Sequence, residues 1–122
     1  MSEAQLGTRE HIMSATEAAQ LTVGVEEEFL LVDVKSGRLA DRAQDILATL
    51  DGEDCDLQAE ITLSQVESAT GICHTMDDLR EQLTNSRRLL SSRAERHGAW
   101  LVASGAPVLG RGSPNALTPL PR

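Results

Sequence analysis

The chain has 122 residues, enough for one domain, and its 40% hydrophobic and 25% charged content excludes disorder of the whole chain. A net charge of −8 argues against a nucleic-acid backbone or an anionic membrane surface as partner and is compatible with metal cations, or with substrates presented through cations. Two cysteines, and no apolar run near the ~18 residues of a membrane span, point to a reducing, cytoplasmic setting rather than a disulfide framework or a membrane.

With one Phe, one Trp and no Tyr, the core has to be built from Leu, Val, Ile and Ala. Residues 1–20 are polar and alanine-rich without a strong period, and read as an N-terminal arm, either a short helix or disordered. They lack the basic-then-apolar pattern of a secretory signal. Thr22 to Asp33 (TVGVEEEFLLVD) reads as a strand. Val23, Val25, Phe29 and Leu31 share one parity, and Glu26 and Glu28 share the other. Glu27 falls on the apolar parity, where it either pairs with an arginine of a later helix or marks the edge of the core. Asp33 to Leu39 reads as a hairpin-like turn with Ser36-Gly37 at its tip. Asp41 to Leu50 reads as a short helix presenting Ile46, Leu47 and Leu50, and Asp51 to Asp56 as an acidic loop.

Leu57 to Thr70 reads as a second, interrupted extended segment. In its later part Gln65 and Glu67 face one way and Val66 the other. Thr75 and Asp78 have the spacing of a capping box, so a helix is expected from Met76 to about His97 with Gly98 just past its end. Its apolar stripe is Leu79, Leu83, Leu90 and Ala94, with Arg80, Arg87, Arg88, Arg93 and Arg96 mostly off it. Ala99 to Ser104 reads as a short buried strand. Gly105 to Arg122 holds all four prolines and forms a Pro-rich tail, unsuited to a regular helix or a central strand. About three strands and two helices follow, an α+β arrangement.

The candidate chemistry lies in the glutamates. At the strand rise, Glu26 and Glu28 stand on one face roughly 7 Å apart. Carboxylates at that spacing suit hard cations such as Mg2+ or Mn2+, and Glu67 from a neighbouring strand is the obvious third ligand. Like charges so close repel, and a cation removes the conflict. The plain structural alternative is a solvated face on a one-sided sheet, and spacing alone leaves the two balanced. His11, His74 and His97 are scattered and read as surface or capping residues. Cys73 reads as a small buried thiol, and Cys55, set among acids, is a poor nucleophile. Phosphate loops, serine elbows and CxxC pairs are absent from the sequence.

Taken in order, TVGVEEEFLLVD, the acidic Glu60, SQVESATGIC, the capped helix and LVASGAPVL…LTPLPR resemble the bacterial glutamate–cysteine ligase type 2 family, also described as carboxylate–amine ligases, from about Leu21 to Arg122. The resemblance implies the N-terminal part of a glutamine-synthetase-like catalytic fold, a curved antiparallel sheet with helices packed on one face. It implies an ATP- and Mg2+- (or Mn2+-) dependent ligase that activates a carboxylate as an acyl phosphate, which an amine then displaces to give an amide. It also implies Glu26, Glu28 and Glu67 as metal ligands, Glu60 as a further acidic position near the metal or amine site, and Gln65 and Thr70 as substrate-binding residues.

The sequence departs from the family where many members have a GTHP or GTPP block, because it reads Gly105-Ala106-Pro107 there. Family members are also much longer. A second polypeptide carrying the C-terminal part of the ligase is therefore an expected partner, beside small-molecule carboxylate and amine substrates. The competing expectation is a non-catalytic interaction or regulatory subunit that keeps the fold.

Overall fold

A computed structural model describes residues 21–50, 56–59, 62–106, 117 and 119. The N-terminal arm, Cys55, Glu60 and most of the Pro-rich tail lie outside the described residues. Four strands form one antiparallel sheet, β1 (Glu26–Asp33), β2 (Asp56–Ala59), β3 (Gln65–Ala69) and β4 (Ala99–Val102), in the order β2-β3-β1-β4. Two helices, α1 (Ala43–Ala48) and α2 (Met76–Arg96), complete an α+β unit.

The hydrophobic alternation decides which face the helices cover. Phe29, Leu31, Val66 and Ala99, one parity of their strands, are buried together with Ala43 and Ile46 of α1, Leu50, and Leu90 and Ala94 of α2. Leu57 and Leu101 pack against the same cluster. Both helices therefore sit on one side of the sheet. The core holds a single aromatic ring, that of Phe29, because Trp100 is exposed.

β1 begins four residues later than the sequence pattern predicts. Ahead of it Val23 makes only an isolated bridge to Cys73 (Val23 N–H to Cys73 O, 3.0 Å; Cys73 N–H to Val23 O, 2.8 Å). The ladder breaks because the Val25 amide donates to the Thr70 hydroxyl oxygen (2.9 Å) rather than to a main-chain carbonyl. At its other end β1 turns as predicted. Asp33 Oδ1 accepts from the Lys35 amide (3.0 Å), the Ser36 amide (2.8 Å) and the Ser36 hydroxyl (2.9 Å), and Gly37 sits at φ +69°. That left-handed backbone is the reason for glycine at the tip.

The extended segment after residue 56 is two strands. β2 and β3 pair with each other, and the chain turns before Gln65, where the Gln65 amide donates to Thr62 O (3.2 Å). α1 has no side-chain cap, but its first amide, that of Ala43, donates to Leu63 O (2.9 Å) and so ties the helix to this turn. α2 follows its sequence signals closely. Thr75 Oγ1 accepts from the Asp78 amide (3.0 Å), and Asp78 Oδ2 accepts from the Thr75 amide (3.2 Å). After the His97 cap, Gly98 leaves the helix at φ +70°.

β4 corrects one expectation. It is an edge strand, open on one face, with Trp100 52% exposed. Among the described residues no helix is long and apolar enough to cross a membrane.

Candidate functional site

The site is built by the phase of the β1–β3 ladder. Thr70 N–H donates to Val25 O (2.9 Å) and Leu31 N–H donates to Ser64 O (2.8 Å). Antiparallel ladders alternate, so the pairs between these, Glu26 with Ala69, Glu28 with Glu67 and Leu30 with Gln65, include the non-hydrogen-bonded ones at even β1 numbers. In such pairs opposed Cα atoms are about 4.5 Å apart and the side chains come closest. Two glutamates, Glu28 and Glu67, thus stand directly opposite one another.

Side-chain alternation puts Glu26, Glu28, Gln65 and Glu67 on the sheet face away from the helices. The β2–β3 register extends this face, with Gln58 opposite Glu67 and Asp56 opposite Ala69. The result is a lateral row Gln58–Glu67–Glu28, with Asp56 and Glu26 flanking it. Glu26, Glu28, Asp56 and Gln58 are exposed, and Glu67 and Gln65 are half-buried.

Local hydrogen bonds hold the row. The Thr62 hydroxyl donates to Gln65 Oε1 (2.6 Å), and Gln65 Nε2 donates to Glu28 Oε1. Gln65 therefore has a fixed amide orientation and steadies one oxygen of Glu28, leaving lone pairs of that carboxylate for another partner. Gln58 Nε2 donates to Asp56 Oδ1 (3.1 Å). Thr70 uses its hydroxyl to accept from Val25, a backbone role at the end of the ladder.

Glu27 faces the other way. Arg87 of α2 grips it with Nε donating to both carboxylate oxygens (3.0 Å each) and Nη2 donating to Oε1. The bond and the charge of Glu27 push the Arg87 guanidinium still higher than the ordinary arginine value. Of the three consecutive glutamates, the middle one joins helix to sheet and the outer two face the open side.

Of the predicted site residues, the structure brings Glu28, Glu67 and Gln65 together, sets Glu26 on the same face one ladder position away, and places Thr70 at the ladder's end. Glu60 lies outside the described residues. Among the described residues no three acidic, histidine or cysteine side chains are gathered into a ready-made metal cluster. The donors fit a hard divalent ion by chemistry, being all oxygen with two like charges opposed on the open face. Sequence reading passed over Asp56 and Gln58. Asp56 closes the expected acidic loop and Gln58 stands at the start of the expected extended segment, and the structure joins both in β2.

A second contact set fixes the segment after β3. Gln82 of α2 accepts the Gly71 amide on Oε1 (2.8 Å) and donates from Nε2 to Cys73 Sγ (3.3 Å), with Cys73 buried. Cys73 is thus a packed thiol, as predicted.

The model of the glutamate–cysteine ligase family 2 matches residues 22–119, which contain every described member of the row. A protein of Saccharopolyspora erythraea carrying the provisional name glutamate–cysteine ligase 2-2 is 45% identical over 114 residues, 85% of this chain and 29% of its own length. One of Rhodococcus jostii, provisionally named glutamate–cysteine ligase 2-1, is 42% identical over 110 residues, 89% of this chain and 30% of its own. A third, from Rhodopirellula baltica and provisionally named glutamate–cysteine ligase 2, is 34% identical over 107 residues, 83% of this chain and 29% of its own. The chain thus spans under a third of the length of these relatives.

Proposed function

Since the chain belongs to the glutamate–cysteine ligase family 2, we propose that it is the N-terminal portion of an ATP- and Mg2+-dependent carboxylate–amine ligase, forming an amide through an acyl phosphate on a glutamine-synthetase-like sheet. The observation that carries this reading is the direct opposition of Glu28 and Glu67 at a non-hydrogen-bonded position of the ladder.

In this reading Glu28 and Glu67 hold a divalent cation from adjacent strands, and Glu26 and Glu60 supply further acidic oxygens. Mn2+ would suit the same donors. A bound divalent ion neutralises phosphate oxygens and the charge that develops during phosphoryl transfer. Gln65 fixes the rotamer of Glu28 through its amide. The β1–β3 ladder keeps the two carboxylates opposed, so little ordering remains to be done when the ion binds. A substrate carboxylate oxygen would attack the γ-phosphorus of ATP and release ADP. The amine nitrogen would then attack the acyl carbon, phosphate would leave, and the amine would lose a proton. Gln65 and Thr70 are the substrate-side residues in this proposal. Glutamate and cysteine are one substrate pair consistent with the family name. Cytoplasmic placement accords with a pool of ATP.

A second reading, from a different class, is a non-catalytic interaction or regulatory subunit that retains the fold. One experiment separates the two. The chain is reconstituted with a polypeptide supplying the rest of a family ligase, and Mg2+-dependent phosphate release from ATP is measured across a panel of acids and amines. Release that Glu28→Gln or Glu67→Gln abolishes, in variants with unchanged circular dichroism, supports the ligase. Release indifferent to both substitutions removes these residues from the mechanism.

A further inference from the structure

The turn ahead of β3 sends a file of polar side chains to the open face. Thr62 and Gln65 meet twice, the Gln65 backbone amide donating to Thr62 O (3.2 Å) and the Thr62 hydroxyl lying 2.6 Å from Gln65 Oε1. Gln65 Nε2 reaches in turn to Glu28 Oε1, 37 residues away in the chain. Behind Thr62, the hydroxyl of buried Ser64 stands 3.3 Å from the Thr62 hydroxyl. Ser64, Thr62, Gln65 and Glu28 are thus linked from the turn to one of the two opposed glutamates.

The last member of the file sets the direction of its bonds. An ionised carboxylate can only accept, so Gln65 must turn Nε2 toward Glu28. Its Oε1 then faces Thr62 and must accept, which commits the single Thr62 hydroxyl proton to Gln65 and leaves Ser64 as donor to Thr62. A glutamine side chain bonded only at Nε2 would swing with the carboxylate it serves. The bond from Thr62 ties the amide to the turn instead. Thr62 is itself a firm anchor, because a β-branched side chain has little χ1 freedom and its backbone pairs with Leu117 in an isolated bridge. Glu28 is the exposed end and Ser64 the buried one, so order passes outward from the fold to the carboxylate.

We infer that Thr62 is a positioning residue of the cation site. Its hydroxyl fixes the Gln65 amide, and the amide holds the Glu28 carboxylate at its place opposite Glu67. The inference rests on the reading of Glu28 and Glu67 as ligands of a divalent ion, and adds a residue that acts only through another. Its effect is on affinity, since a carboxylate ordered when the chain folds has less side-chain freedom to lose when an ion binds. Partners one bond behind a ligand typically carry about ten- to hundredfold in metal affinity, and Thr62 acts one bond further back, through Gln65. The competing account is a hydroxyl that serves the turn alone. That account makes Thr62 a matter of stability and leaves affinity untouched.

The test is a double-mutant cycle on the full chain, read as Mn2+ affinity from the electron paramagnetic resonance of the free ion, with melting temperatures in chelator beside it. Thr62→Val keeps the shape and removes the donor, and should weaken Mn2+ binding about tenfold. Thr62→Ser keeps the donor and should bind like wild type. Gln65→Met should weaken binding at least as much as Thr62→Val. In that background Thr62→Val should add nothing, because its route to Glu28 is already cut. Unchanged affinity in Thr62→Val, whatever its melting temperature, overturns the inference. So does an equal loss from Thr62→Val in both backgrounds, or a serine variant as weak as the valine one. Glu28→Gln separates this inference from the reading beneath it. Binding that depends on Glu28 but not on Thr62 removes the positioning role alone. Binding that is absent from wild type, or the same in Glu28→Gln, removes the cation site and the positioning role together.

Discussion

Arg87 and Glu27 meet across the interface between α2 and β1, the guanidinium fork closed on both oxygens of a carboxylate that is only 16% exposed. The two partners are unequal, because Arg87 reaches water and Glu27 mostly does not. Removing the cation should therefore do more damage than neutralising the anion, since it strands a charge in a half-dry site. Arg87→Ala should lower the melting temperature more than Glu27→Gln, and the double variant should recover part of the Arg87→Ala loss. Thermal melts of the three variants check this, and equal losses in both single variants would refute the asymmetry.

The turn after β1 supplies a pH dependence. The amide and hydroxyl of Ser36, then the amide of Lys35 and the charge of Arg42, hold Asp33 below the ordinary aspartate value against a smaller opposing effect of burial. A lowered folded-state value stabilises the ionised form. The contribution of Asp33 is thus fully present above the unfolded-state value of about 3.9 and is lost as pH falls through the lower folded one. Asp33→Asn should destabilise the protein at neutral pH, and the gap from wild type should close in the acid limb. Denaturant midpoints from neutral pH downward measure it, and a gap constant with pH would exclude the carboxylate as its source.

Stability within α2 should divide by position. Leu90 is fully buried in the core, and Leu90→Ala should cost about 2–5 kcal/mol. Thr75→Ala removes the oxygen that accepts the Asp78 amide and should cost about 1 kcal/mol, with Thr75→Ser retaining most of it. Met76, 63% exposed, should tolerate alanine within about 0.5 kcal/mol. Urea unfolding with a constant slope ranks the three, and a different order would contradict the placement of the helix.

The parts of this fold that could be read from sequence are those with a local cause. The box of Thr75 and Asp78 and the glycine at 98 mark α2 almost to the residue, because caps are satisfied within one turn. The alternation of Gln65, Val66 and Glu67 is local too, and so is the shared face of Glu26 and Glu28. What could not be read depends on partners distant in the chain. Pairing of Glu27 with an α2 arginine is one of the two readings the sequence allows, but its being Arg87 depends on how the helix lies across the sheet. The late start of β1 follows from Thr70 capturing the Val25 amide, and the exposure of Trp100 follows from the edge position of β4. The open face has the same origin. The opposition of Glu28 and Glu67 is a register, set by the whole ladder and invisible in either strand alone.

That register makes the metal hypothesis testable without any turnover. Like charges placed directly opposite on an antiparallel pair destabilise it, whereas Gln58 opposite Glu67 adds no charge. In chelator, Glu67→Gln should therefore leave the protein as stable as wild type or slightly more so. With Mg2+ or Mn2+ the order should reverse. Wild type gains stability as the ion binds the folded state alone, by about 2.7 kcal/mol at a hundredfold excess over the dissociation constant, and the variant gains far less. Glu28→Gln should behave alike, since its remaining oxygen can still accept from Gln65. Thermal melts across a cation titration, with Ca2+ as a size control and Glu81→Gln on exposed α2 surface as a charge control, provide the readout. If wild type and both row variants gained equally from the cation, the ion would be binding elsewhere and the opposed glutamates would be no more than a wet face.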